Sequence, residues 1–231
     1  MPAPPDPAPE PRQRWRLVVA RDADAPAETQ REVTAAWTAA IESAGLPLVG
    51  AEAQRGRSRI AFGAPLPVGM VAERELIDVV LTALWPAWRV RESVAAQLPG
   101  GWRLIDVFDV WLGGPPLAGR VVAADYRIEL EGAVDVEALR RVANELLAAG
   151  NVPREREKGE RRVRYDLRPL LIDVRVEDGE PPIVRARTRF HPELGTGRPE
   201  EVVGALADRL ESPLVMRSIV RERLLLDEDL T

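Results

Sequence analysis

Asp125-Tyr126-Arg127-Ile128-Glu129-Leu130-Glu131 alternates charged and apolar side chains. Tyr126, Ile128 and Leu130 face one way, and Asp125, Arg127, Glu129 and Glu131 the other. This period of two marks a strand with one buried face. Asp135 then stands where a helix N-cap belongs. Val136, Leu139, Val142 and Leu146 recur at helical spacing as far as Ala149-Gly150. The same pattern occurs upstream. Trp15 to Arg21 reads as a strand. Thr29 to Ala44 reads as a helix with Val33, Trp37, Ile41 and Ala44 on one face, and Gly45 sits at a C-terminal glycine position.

Each strand–helix pair is followed by more of the same. After the first come strands at Leu46 to Ala51, Ser58 to Phe62 and Glu75 to Leu81. A helix then runs from Pro86 to about Gln97 with Trp88, Ala95 and Leu98 inward, and Trp102 to Trp111 is a strand. After the second come strands at Arg161 to Leu167, Leu170 to Glu177 and Ile183 to Phe190. Pro199 to Leu210 is a helix, and Leu214 to Leu226 is extended. The order predicts an α+β protein of two tandem ferredoxin-like (βαββαβ) units with mostly antiparallel sheets. Residues 1–12 form a disordered Pro-rich tail in this reading, 13–112 the first unit, 113–120 a linker at Gly113-Gly114-Pro115-Pro116, and 121–231 the second unit.

Composition narrows the function. The 231 residues carry a net charge of -5, with 45% hydrophobic and 30% charged residues. That describes a soluble globular chain rather than a basic DNA binder. No apolar run is long enough to span a bilayer, and Met1 to Arg12 has no apolar core of a secretory signal. The expected location is the cytoplasm, with no membrane or DNA partner. Lys+Arg totals 32, and all but Lys158 are arginine. There are no cysteines and one histidine. Without cysteine the chain cannot hold an iron–sulfur cluster by thiolates, and Cys/His zinc sites, disulfides and thiol nucleophiles are excluded. No cofactor or metal is expected. Neither a phosphate-loop signature nor a dinucleotide fingerprint is present.

Several groups of residues are candidates for a site. Arg59-Ile60-Ala61-Phe62-Gly63-Ala64-Pro65-Leu66-Pro67-Val68-Gly69 ends a strand in a segment shaped by two prolines and two glycines. Arg59, Pro65, Pro67 and Gly69 are its candidates, with Asp78 beyond. Arg162 and Arg164 alternate with Val163 and Tyr165, and Arg185, Arg187 and Arg189 with Val184 and Ala186. If these strands share a sheet, its arginines can track a phosphate backbone. Alternatively they form a solvated face, paired across strands with Glu129, Glu131, Asp173 and Glu177. Arg168-Pro169 and Arg198-Pro199 form another pair, the second opening a helix after Gly195-Thr196-Gly197, where free backbone N–H groups favour an anion. His191 ends a strand beside Glu193 with no nucleophile near it in sequence. All six tryptophans lie in the first half. Most read as core, with Trp85-Pro86-Ala87-Trp88 a partner surface.

Several blocks together resemble the radical SAM-associated family, a bacterial domain of unknown function often encoded beside, or fused to, a radical SAM protein. They are Ala44-Gly45-Leu46-Pro47-Leu48, Arg59 to Gly69, Glu75-Leu76-Ile77-Asp78, Ala124-Asp125-Tyr126-Arg127, Asp166-Leu167-Arg168-Pro169-Leu170, Gly197-Arg198-Pro199-Glu200-Glu201-Val202 and Ile219-Val220-Arg221. Two family histidines are missing. A Leu-Ser-His segment is replaced by Asp22 to Glu28, and a Gly-Phe-Asn-Pro-His-Pro-like loop by Ala53 to Ser58. The resemblance implies a radical SAM protein, or its macromolecular substrate, as partner of a non-catalytic accessory protein. Arg59 and the Pro65 to Gly69 turn would form one side of the site, with Arg168 and Arg198 as anion contacts. The alternatives are an RNA-binding protein of translation or RNA maturation using the arginine face, and a small enzyme using carboxylates and arginines such as Asp78 with Arg59.

Overall fold

The structure is a computed structural model that describes residues 10–49, 60–158 and 161–230. It is a mixed α+β fold with mostly antiparallel sheet and, among the described residues, four α-helices. The chain divides into two compact units between Arg120 and Val121.

The first unit runs β1 (Gln13–Arg21), α1 (Gln30–Ser43), β2 (Ile60–Phe62), β3 (Val71–Leu81), α2 (Ala87–Ala95) and β4 (Trp102–Val110). Its strands lie in the order β4-β1-β3-β2, every neighbouring pair antiparallel. Thr29 and Glu32 close a capping box at the start of α1, so two of the free N–H groups there find acceptors. Val33, Trp37 and Ile41 bury the expected face, and Trp37 meets Trp102 of β4 edge-on at 5.4 Å.

Three sequence expectations change. Of Leu46 to Ala51, the described part is a single bridge between Leu48 and Leu81. The helix after Pro86 ends at Ala95 and buries Val90 and Val94, one turn apart, leaving Trp88 63% exposed. The stretch 113–120 is fastened to the first unit rather than free. The Arg14 guanidinium donates to the Gly114 and Pro115 carbonyls at 3.1 and 3.0 Å, and Leu117 is fully buried.

The second unit runs β5 (Val121–Glu131), α3 (Val136–Ala148), β6 (Pro153–Lys158), β7 (Arg161–Asp166), β8 (Leu171–Glu177), β9 (Ile183–His191), β10 (Gly195–Thr196), α4 (Pro199–Leu210) and β11 (Val215–Leu226). The order here is β11-β5-β9-β8, again antiparallel throughout. Asp135 caps α3 through the Ala138 N–H. Tyr126, Ile128 and Leu130 of β5 are buried while Asp125, Arg127 and Glu129 are half-exposed, as the alternation requires. Strands β6 and β7 form a hairpin sheet of their own between α3 and β8. Among the described residues no helix is long and apolar enough to cross a membrane.

Candidate binding surfaces

In the first unit the Pro- and Gly-rich segment is held from both ends. Gly63 donates its N–H to the Leu76 carbonyl at 2.9 Å, and Met70 closes a turn onto the Pro67 carbonyl at 3.1 Å. Gly69 occupies the third position of that turn at φ +74, which a side chain disfavours. Arg21, 2% exposed, donates to the Met70 carbonyl at 2.9 Å and to the Pro26 carbonyl. Gln30 accepts the Leu66 N–H at 3.2 Å. Pro65, Pro67 and Gly69 are left exposed while Ala64, Leu66 and Met70 are buried. Arg59 lies outside the described residues.

Asp78 has a partner set the sequence reading missed. Its carboxylate accepts from Arg14 Nε at 2.8 Å and from Arg16 Nε and Nη2 at 2.8 and 3.1 Å. All three side chains are more than nine-tenths buried. Arg14 and Arg16 alternate with the buried Trp15 and Leu17, so the strand contributes a charged pair to one face and apolar side chains to the other. Asp78 is thus the counter-charge of a buried ion cluster.

In the second unit the arginine candidates do not share a sheet. Arg162 and Arg164 lie on the β6–β7 hairpin, where Arg164 Nε pairs with Glu155 at 2.5 Å. Arg185, Arg187 and Arg189 lie on β9 in the main sheet. There Arg187 forks onto Asp125 at 2.6 and 3.0 Å, and Arg223 reaches the same carboxylate at 2.8 Å. Arg185 pairs with Glu177 at 3.0 Å and with Glu222, which also accepts from Arg127 at 3.0 Å. Asp125, Glu177, Arg185, Arg187 and Glu222 line a charged depression of about 270 Å³. Its cations are largely matched by carboxylates, but of the partners expected from the sequence only Glu177 pairs with Arg185 or Arg187, and Asp125 and Glu222 take the other places.

Burial pushes the Asp125 carboxyl up, but the hydrogen bonds from Arg187 and Arg223 and their charges outweigh it and hold the group below the ordinary carboxylate value. A carboxyl depressed in the folded state adds stability that is complete above its unfolded value and is lost as pH falls through the folded one. Asp125→Asn is therefore expected to cost about 1–3 kcal/mol at pH 7 and to flatten the loss of stability below roughly pH 4. Urea titrations of both proteins between pH 7 and 3 test this, and parallel pH curves would refute it.

The two Arg-Pro turns come together. Gly197 packs so tightly against Leu170 that a Cβ placed on it would lie 2.9 Å from the Leu170 carbonyl oxygen and 2.8 Å from Thr188 Cβ. Thr188, fully buried, donates its hydroxyl to the Gly197 carbonyl at 2.7 Å, and the Gly197 N–H reaches Arg189 O at 2.9 Å. The Arg168-Pro169-Leu170 turn therefore abuts the turn that carries Arg198 into α4. Arg168 donates to the Leu171 carbonyl at 3.1 Å, and Arg198 is the exposed N-cap of α4. Neither forms an ion pair among the described residues. Glu200 and Glu201 already occupy the first turn of α4, where their charge offsets the helix dipole.

The hairpin leans on this region. Arg154 binds Glu201 at 2.9 Å and Asp208, both on α4. Arg156 lies over the Tyr165 ring at 4.9 Å and beside Gly195. The Tyr165 hydroxyl is buried with no hydrogen-bond partner among the described residues. Neither Arg156 nor Tyr165 was a candidate from the sequence. Their signal was the Arg-x-Arg spacing on either side of Gly159.

His191 and the tryptophans resolve simply. His191 Nδ1 accepts the N–H groups of Glu193 and Leu194 at 3.2 and 3.1 Å, so it shapes its own turn. Trp15, Trp37 and Trp102 are core, whereas Trp88 and Trp111 are exposed and Arg89 stacks on Trp85 at 3.9 Å. No cluster of three or more metal-ligating side chains occurs among the described residues.

The model of a family described as an uncharacterized protein conserved in bacteria, DUF2344, matches residues 14–202. The chain belongs to this family. No curated protein matches it. Among solved structures, a Cbf5-Nop10-Gar1 complex matches this DUF2344 chain at 12% identity and TM-score 0.48, over 90% of this chain and 48% of the other. An archaeal box H/ACA sRNP Nop10-Cbf5 complex matches at 15% identity and TM-score 0.41, over 88% and 46%. The chain spans about half the length of those it matches.

Proposed function

We propose that this protein is a non-catalytic accessory protein that binds a radical SAM protein or its macromolecular substrate. The observation that carries the binding role is the meeting of the Arg168 and Arg198 turns. There two guanidinium groups have no carboxylate partner among the described residues, whereas Arg154, Arg185, Arg187 and Arg223 are paired. The sequence blocks shared with the radical SAM-associated family support the choice of partner. The shaped Pro65 to Gly69 turn is a second contact surface in the first unit. Each unit is read as a ferredoxin-like module, supported by the orders β4-β1-β3-β2 and β11-β5-β9-β8. The carboxylate-based enzyme is disfavoured because Asp78 is enclosed by Arg14 and Arg16.

Co-purification at low salt with a radical SAM protein from the same organism tests the proposal. The wild-type chain is expected to retain that protein, and an Arg168→Glu/Arg198→Glu double variant to lose at least about tenfold in affinity, the scale of two charge-assisted contacts. Equal retention by the two would refute it.

A further inference from the structure

We infer that Tyr165, Arg156 and Arg198 form a site for a phosphate group. The inference rests on the binding reading above and deepens it by naming the chemistry bound. Three independent observations converge on one place in the second unit. The first is charge. Arg154 takes up Glu201 and Asp208, so two acidic groups of α4 are already paired. Arg156 and Arg198 form no ion pair among the described residues, so positive charge is left over. The second is position. Arg156 rests against Gly195, three residues before Arg198, and its guanidinium is parked on the Tyr165 ring rather than extended into solvent. A stacked guanidinium has lost much of its side-chain freedom before any ligand arrives, which lowers the entropy cost of using it.

The third is the Tyr165 hydroxyl, buried and without a partner among the described residues. A buried hydroxyl without a partner is costly, and such groups in native proteins call for a physical reason. Here the ring that bears a donor with no acceptor lies under the Arg156 guanidinium, and neither Arg156 nor Arg198 has a counter-ion among the described residues. A phosphate satisfies both deficits. It brings negative charge to the guanidinium groups and an oxygen to the hydroxyl. Burial and the Glu201 charge push the Tyr165 hydroxyl above its ordinary value, so it stays protonated at neutral pH and acts as a donor, while Arg156, Arg154 and Arg198 offset part of the shift. A carboxylate ligand offers fewer oxygens for three donor groups, so phosphate is the better match.

A phosphate group comes either from the backbone of a single-stranded RNA or from a small phosphate. Fluorescence anisotropy with a labelled single-stranded RNA 12-mer and thermal shift with inorganic phosphate separate the two. Tyr165→Phe keeps the ring and the Arg156 stack and removes a hydroxyl that holds nothing in the protein, so the variant folds. It is expected to lose about three- to tenfold in affinity. Arg198→Ala, at an exposed position, is expected to lower the salt slope of RNA binding by about 0.7. RNA binding weakened by both changes supports the site with a backbone phosphate. Protection by inorganic phosphate alone, abolished in Tyr165→Phe, supports it with a small phosphate. Wild type and both variants behaving alike in either assay, or no binding by wild type, overturns it. The co-purification test stands apart from these outcomes, because it reads a protein partner and not phosphate.

Discussion

Asp78→Ala is expected to destabilise the first unit by about 3–5 kcal/mol, the cost of breaking a buried ion cluster from one side. The carboxylate is the shared counter-charge of Arg14 and Arg16, and all three side chains are more than nine-tenths buried. Removing it leaves two guanidinium groups that can neither deprotonate nor reach water easily. A loss of that size is about a fifth or more of the stability of a typical domain, and urea denaturation followed by tryptophan emission measures it. The control is to replace the whole cluster by apolar side chains, Arg14→Met, Arg16→Met and Asp78→Leu together. That change removes the charges along with their partner and is expected to recover most of the loss. What is not recovered measures the Arg14 contacts to Gly114 and Pro115, which fasten 113–120 to β1. A loss below about 1 kcal/mol in Asp78→Ala, the scale of a surface pair, would show that the cluster is solvated. The same result governs the enzymatic alternative, since activity lost in an unfolded variant says nothing about catalysis.

The elements that could be read from the sequence were those whose signals are local. The alternation at β5 and the capped, periodic helices α1 and α3 depend on residues a few positions apart. Contacts between distant segments were not legible. Arg14 and Arg16 alternate with apolar residues just as Arg127 and Glu129 do, yet the first pair is buried and the second half-exposed. What separates them is Asp78, which lies 64 and 62 residues away. Periodicity likewise showed that Arg162 and Arg164 share a face, and that Arg185 and Arg187 share one. It could not show that these strands belong to different sheets, because β6 carries almost no apolar residues and gave no strand signal. In α2 the large Trp88 outweighed Val90 and Val94 in the reading. The packing against β4 selected the valines, which are i and i+4, and left the indole in solvent. The Arg168–Arg198 pairing was approached through residue type alone. The contact that makes it, Gly197 on Leu170, spans 27 residues and has no local trace.

Gly197→Ala is expected to cost about 1–3 kcal/mol and to abolish binding beyond what that loss explains. A Cβ at this position would lie 2.8 Å from Thr188 Cβ, 2.9 Å from the Leu170 carbonyl oxygen and 3.2 Å from Leu170 Cβ. Two of these atoms belong to buried side chains and the third is backbone, so none can swing aside as a flexible chain end would. The backbone must separate instead. Separation lengthens the Thr188 hydroxyl bond to the Gly197 carbonyl, now 2.7 Å, and moves the Arg198 turn away from Arg168 and from the hairpin carrying Arg156 and Tyr165. Gly150→Ala supplies the comparison. Nothing lies within 4 Å of a Cβ there, so its effect is expected within about 0.5 kcal/mol. Thermal melts of the two variants, with anisotropy of the RNA 12-mer and co-purification at a temperature where both are folded, separate stability from geometry. If Gly197→Ala binds as well as Gly150→Ala while being less stable, the turns need not touch for binding. The role of this glycine would then be packing alone, and Arg198 would act without Arg168.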